Sequence, residues 1–100
     1  MATEMIQMIP AVLLTYVLEL ENGNFYVGKS TNLNVRFGQH WTATGSKWTR
    51  LHKPVKVLHV FLGDKERSMT LMMMNKHGWE KVRGGPWCRV EMKEAPKALI

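Results

Sequence analysis

TYVLELENGNFYVGKSTNLNVRFGQHW, residues 15–41, decides the reading of this chain. Two apolar, aromatic runs, 13–20 and 25–27, flank Asn22-Gly23. Both central residues of a type I′ turn need positive φ, and Asn-Gly between such runs is the strongest short-range hairpin signal. The stretch is expected to form a hairpin with strands at about 12–21 and 24–29. Tyr16 then sits on one strand and Tyr26 on the other, and Gly28 closes the second apolar run. Ser30, Thr31 or Asn32 can cap a helix over about 32–40, with Leu33 and Phe37 facing the core. Arg36 and His40 are four apart and share one face of that helix. Two phenols, a guanidinium and an imidazole therefore converge within a short piece of chain, a set suited to phosphodiester chemistry.

The chain has 100 residues, 45% of them hydrophobic. That length predicts one domain over 1–100, with a modest core. Residues 1–10 read as a loose arm and 90–100 as a tail. The net charge of +6 and sequence pI near 9.8 favour an anionic partner, nucleic acid first. Cys88 is the single cysteine, which excludes a disulfide framework or a repeated zinc-ligand spacing and points to a reducing, intracellular setting. The apolar run at 9–14 is broken by Pro10 and is too short for a membrane span. Residues 1–10 carry Glu4 and no Lys or Arg, unlike a signal peptide.

Beyond the hairpin, residues 42–54 read as loop. Lys47, Arg50 and Lys53 lie there beside Trp48, a pattern that can contact phosphates and stack on a base. The competing reading packs Trp48 beneath the loop as a small satellite core. Residues 55–62, VKVLHVFL, read as a central strand, with His59 a structural or edge residue. Residues 64–77 read as a second helix, with Met69, Met72 and Met73 on one face and Gly78 beyond its end. Glu66 falls in its first turn, where the helix dipole favours a carboxylate. Residues 82–86, VRGGP, form a turn-rich loop whose glycines let backbone approach a strand or a phosphate. The tail has helical character after Met92, interrupted by Pro96.

The pattern Thr15-Tyr16-Val17, Tyr26-Val27-Gly28-Lys29, Asn32-Leu33, Arg36 and His40 resembles the GIY-YIG nuclease family. The second half-motif is similar to the nuclease domain of UvrC. The resemblance covers about residues 13–85. It implies an α/β (α+β) fold, a small three-stranded antiparallel sheet flanked by helices. It also implies a DNA endonuclease that uses one divalent ion, Mg²⁺ or Mn²⁺. Glu66 matches the acidic position that holds the metal in that family. Tyr26 is then the first candidate for general base, with Tyr16 as its partner. Arg36 would hold the scissile phosphate, and His40 would position it or relay a proton. Lys29, Lys47, Trp48, Arg50, Lys53 and Arg83 are the candidate DNA contacts. A homodimer, or a partner protein supplying specificity, is left open; a membrane partner is not expected.

Two positions depart from the family pattern. Thr15 stands where the family name has Gly, and Lys81 stands about where a late, bracing Asn is expected. The second departure keeps a rival reading in play, a DNA-binding module of the same fold without turnover. An unrelated basic domain for RNA or an acidic protein is the third.

Overall fold

β1 (Leu14–Leu20) and β2 (Phe25–Ser30) are joined by a tight turn at Glu21–Gly23. Asn22 and Gly23 hold φ of 58° and 73°, the left-handed values the Asn-Gly pair predicts. The Asn24 N–H closes the turn on Glu21 O at 3.2 Å. This computed structural model describes residues 11–99, so the arm expected at 1–10 lies outside the described residues. The turn fixes the antiparallel register: Tyr16 lies opposite Gly28, and Leu18 opposite Tyr26.

The sheet has four strands in the order β3-β1-β2-β4, one more than the sequence suggested. β3 (Pro54–Leu62) runs antiparallel to β1. β4 (Val82–Gly84) is a three-residue strand parallel to β2, inside the segment read as a loop. It was missed because three residues beside two glycines carry no period. β3 lies at an edge, not in the centre, and Val55, Val57, Val60 and Leu62 are exposed there. An apolar run alone does not say on which side a strand is paired.

Helices cover both faces of the sheet. α1 (Leu33–Trp41) and the short α2 (Lys47–Leu51) cover one. That core joins Tyr16, Leu18, Leu20, Tyr26 and Trp48, with Leu33, Phe37 and Val90 against it. α3 (Glu66–His77) covers the other, packing Met69, Met73 and Met74 on Val17, Phe25, Val27 and Val82. β1 is therefore buried on both sides, whereas its alternation suggested one better-buried face.

α2 occupies the middle of the expected loop. Ser46 caps it by accepting the Thr49 N–H at 3.2 Å. Trp48 anchors it from below: the indole is buried and donates to Phe25 O at 2.9 Å. The guanidinium of Arg83 stacks over that indole, 4.5 Å from the ring centre. Arg83 donates to Arg89 O at 2.6 Å, Trp79 O and Val82 O at 2.8 Å, and Val90 O at 3.0 Å. These bonds draw the tail against the sheet as irregular chain. No helix forms over 90–99, contrary to the expectation after Met92.

Arg83→Met should therefore destabilise the fold. It keeps the bulk over Trp48 but strips the donors from carbonyls of the tail. Urea unfolding is expected to show a loss of about 2–4 kcal/mol. Arg83→Lys should recover only part of it, since an ammonium cannot reproduce the planar fork.

Candidate active site

The hairpin register lays the Tyr16 phenol across the Gly28 backbone. Any Cβ at 28 would strike that phenol and come within 2.9 Å of Tyr26 Cε2. Glycine here is a matter of close approach, and it leaves the two phenols side by side, ring centres 6.4 Å apart. α1 supplies the next groups. Asn32 caps it by accepting the Val35 N–H at 3.2 Å, which sets Arg36 and His40 on the face turned to the sheet.

Tyr16 Oη and His40 Nε2 lie 2.7 Å apart, fully buried. The proton's place follows from the surroundings. Thr49 donates its hydroxyl to Ser46 O at 3.1 Å, so its oxygen accepts from His40 Nδ1–H at 3.0 Å. Nε2 is then the acceptor, and the Tyr16 hydroxyl donates to it. Arg36 Nε–H donates to the same phenol oxygen at 3.3 Å. Arg36 also reaches Gln39 Oε1 with Nη1 at 2.9 Å. Gly45 passes so close to His40 that a Cβ would sit 2.5 Å from Nδ1.

Burial governs the protonation states. It pushes the Tyr16 phenol well up, reinforced by Tyr26 and opposed by Arg36. Burial also raises Tyr26, with the Arg36 charge pulling the other way. His40 is pushed down to about 4 by burial and then by the Arg36 charge. At neutral pH both phenols are protonated and the imidazole is neutral.

The carboxylate comes from α3. Glu66 is half-buried in its first turn. Burial raises its pKa, Asp64 adds to the rise, and Lys29, the Gly85 N–H and Arg36 oppose it. Lys29 Nζ lies 2.9 Å from Asp64 Oδ2 and 3.9 Å from Glu66 Oε1. The VRGGP glycines approach protein here. A Cβ on Gly84 would press on Val27 and Thr70, and one on Gly85 would lie 3.7 Å from Glu66 Cγ.

The structure thus brings Tyr16, Tyr26, Arg36 and His40 together, and places Lys29 beside Glu66. Lys47, Arg50 and Lys53 are exposed on α2 and just after it. Trp48 and Arg83 are buried, so neither offers the surface for a base or phosphate contact; for Trp48 the competing reading, packing beneath this stretch, is the one the structure shows. Their side chains pack on each other instead. Lys81 is exposed in the turn at Trp79–Lys81. The sequence reading missed Asp64, Ser46 and Thr49. The alternation Asp64-x-Glu66 was a signal for the first; nothing local marks Thr49 as the partner of His40. Among the described residues, no three His, Cys, Asp or Glu side chains gather as a metal-binding group. No described helix is long and apolar enough to cross a membrane.

The His40 environment carries a pH signature. An unfolded histidine titrates near ~6.5, against about 4 in the fold. The folded state binds fewer protons between these values, so this group's contribution is full above about pH 6.5 and is lost as pH falls toward 4. The loss should be on the order of 2–3 kcal/mol. His40→Gln, compared with the wild type by urea unfolding at about pH 7 and about pH 4.5, should show a smaller drop.

The family model described as GIY-YIG catalytic domain matches residues 13–80. A UPF0213 protein of Fusobacterium nucleatum is 41% identical over 49 residues, covering 49% of this chain and 49% of the relative. A UPF0213 protein of Cupriavidus pinatubonensis is 44% identical over 43 residues, 43% of this chain and 48% of the relative. One from Streptococcus pneumoniae is 36% identical over 56 residues, 55% of this chain and 57% of the relative. The chain thus spans about half the length of the curated relatives it matches. No solved structure matches. With most of its length, including both half-motifs and the helix start that bears Glu66, under the family model, the chain belongs to the GIY-YIG family.

Proposed function

We propose that this chain is a divalent-metal-dependent DNA endonuclease that hydrolyses a phosphodiester with a tyrosine-activated water. The observation that carries this reading is the bonded set Arg36–Tyr16–His40, with Tyr26 beside it. Tyr16 has its oxygen engaged on both sides, by Arg36 and His40, and it is wholly buried. Tyr26 retains slight exposure, 8% against 0% for Tyr16, and has no His40 bond to its oxygen, so it is the better candidate to meet a water. Tyr26 therefore takes the proton of the attacking water once it is ionised. Tyr16 and His40 hold its surroundings rigid and neutral. Arg36, charged and partly exposed, grips the scissile phosphate.

Glu66 fits a hard cation. It is a half-buried carboxylate whose charge is penalised by burial, a penalty that an adjacent cation relieves. A single carboxylate suffices for Mg²⁺ or Mn²⁺, because such ions keep waters and share phosphate oxygens. When bound, the ion supplies charge neutralisation at the departing 3′ oxygen. Lys29 sits within reach of the same carboxylate and serves as a phosphate contact when DNA arrives. Lys47, Arg50 and Lys53 add exposed positive charge on α2 and beyond, for a backbone contact without base reading.

A supercoiled plasmid reports one nick as a relaxed circle. Wild-type protein with Mn²⁺ should nick it, and EDTA should stop the reaction. Glu66→Ala and Tyr26→Phe should each lose about 100-fold or more in rate. The rate should climb as pH rises, because the base must shed a proton that burial makes it keep. Intact plasmid under all conditions, with gel-shift binding preserved, would leave a DNA-binding module in place of the enzyme. Binding itself should weaken steeply with salt, and Lys47→Ala with Arg50→Ala should flatten that dependence by roughly one unit of slope per residue.

A further inference from the structure

Thr15 directly precedes Tyr16, at the middle position of the first half-motif and not at its glycine, and its side chain is wholly buried. It points to the face of the sheet opposite Tyr16, its neighbour in β1. Its hydroxyl donates to Gly63 O at 2.7 Å and accepts the Lys65 N–H at 2.8 Å. The Gly63 N–H donates to Leu13 O at 2.8 Å, so the crossing from β3 to α3 is tied by three bonds to β1 and the residue just before it. Gly63 takes φ of 84° to make this return.

Glu66 is the next residue after that crossing, and α3 starts with it. Helix starts leave backbone N–H groups without partners, and these are commonly met by a local cap. Lys65, in the cap position, gives no side-chain cap. Asp64 Oδ1 takes the Glu66 N–H at 3.2 Å, and Thr15 takes the Lys65 N–H from across the fold. The start of this helix is thus fastened by the strand that carries the phenol.

We infer that Thr15 is a positioning residue: its hydroxyl sets the first turn of α3 against β1 and so presents Glu66 to a divalent cation. The inference rests on the nuclease reading of Glu66. Valine fills the same space but makes neither bond, leaving Gly63 O and Lys65 N–H without their partner. Serine keeps the hydroxyl and should keep the function. A threonine that merely stabilised the fold would lower the melting temperature without touching cation affinity.

The test compares the wild type, Thr15→Val and Thr15→Ser as full chains, without DNA. One readout is amide hydrogen exchange at Lys65 and Glu66; the other is Mn²⁺ affinity from water-proton relaxation. Thr15→Val should speed exchange at Lys65 about tenfold. It should weaken Mn²⁺ binding about tenfold, the low end of what losing a group that orients a metal ligand costs. Thr15→Ser should restore both. If valine does not fold, Thr15→Ala, which also lacks the hydroxyl, carries the same readouts. Unchanged exchange, or a Mn²⁺-binding wild type whose affinity survives the loss of the hydroxyl, overturns this inference alone. A wild type that binds no Mn²⁺ overturns the reading of Glu66 and this inference with it.

Discussion

A hydroxyl or imidazole taken out of water without a partner costs about 2–7 kcal/mol. Tyr16 and His40 are both almost completely buried, and they satisfy each other at 2.7 Å. Much of the fold follows from keeping that pair intact. α1 must lie where its third turn delivers His40 to β1. Gly28 must lack a side chain so that the phenol can lie over β2, and Gly45 must lack one so that the chain can close behind the imidazole. Thr49 must face Nδ1, and Ser46 must start the turn that holds Thr49. α2 is short, but it exists at this place because the ring needs a second partner.

The other half of the candidate site is assembled from the opposite face of the same strand. β1 sends Tyr16 toward α1 and Thr15 toward the start of α3. Tyr26 on β2 stands beside the first, and Glu66 follows the second. The parallel pairing of β4 with β2 then brings Gly84 and Gly85 against Val27, Thr70 and Glu66. Burial of β1 on both faces is thus the condition for a site whose phenols and carboxylate come from different layers. Arg83 and Trp48 serve the same end at a distance, by fastening the tail over the sheet and α2 to β2.

How much of this could be read from residues alone depends on the range of each contact. The Asn22-Gly23 turn, the two strands beside it and a cap among Ser30, Thr31 and Asn32 rest on neighbours in sequence and are plain in the string; the structure selects Asn32. The second helix is plain too, although it starts at Glu66, two residues after the expected Asp64. The identity of the partners is not. Tyr16 meets His40 across 24 residues, and Thr15 meets Lys65 across 50. Trp48 left stacking on a base and packing beneath the chain both open, because basic and aromatic residues in a Gly/Ser/Thr-rich stretch suggest a loop, and Arg83 looked like a DNA contact because it is basic beside two glycines. The indole's bond to Phe25 and the guanidinium's bonds to four carbonyls depend on tertiary placement that composition does not carry. β3 went to the edge because strand order is decided by which partners compete for β1, and an apolar run is silent on that.

The electrostatic state of the cluster follows from the same burial. A cationic His40 would give the site more attraction for phosphate, yet it would have no lone pair for the Tyr16 proton. Burial and the Arg36 charge settle that conflict in favour of the neutral ring. Arg36 is then the permanent charge among the four groups drawn together at the hairpin. It touches the Tyr16 oxygen and acts on both phenols, lowering the cost of ionising either. Desolvation alone would leave the phenols inert as bases. The guanidinium offsets part of that penalty, and a cation at Glu66 would add to the offset in the same direction. The Glu66 charge raises the Tyr26 phenol, so in the proposed nuclease a cation at that carboxylate would ease ionisation of Tyr26, and the geometry of the α3 start would bear on it.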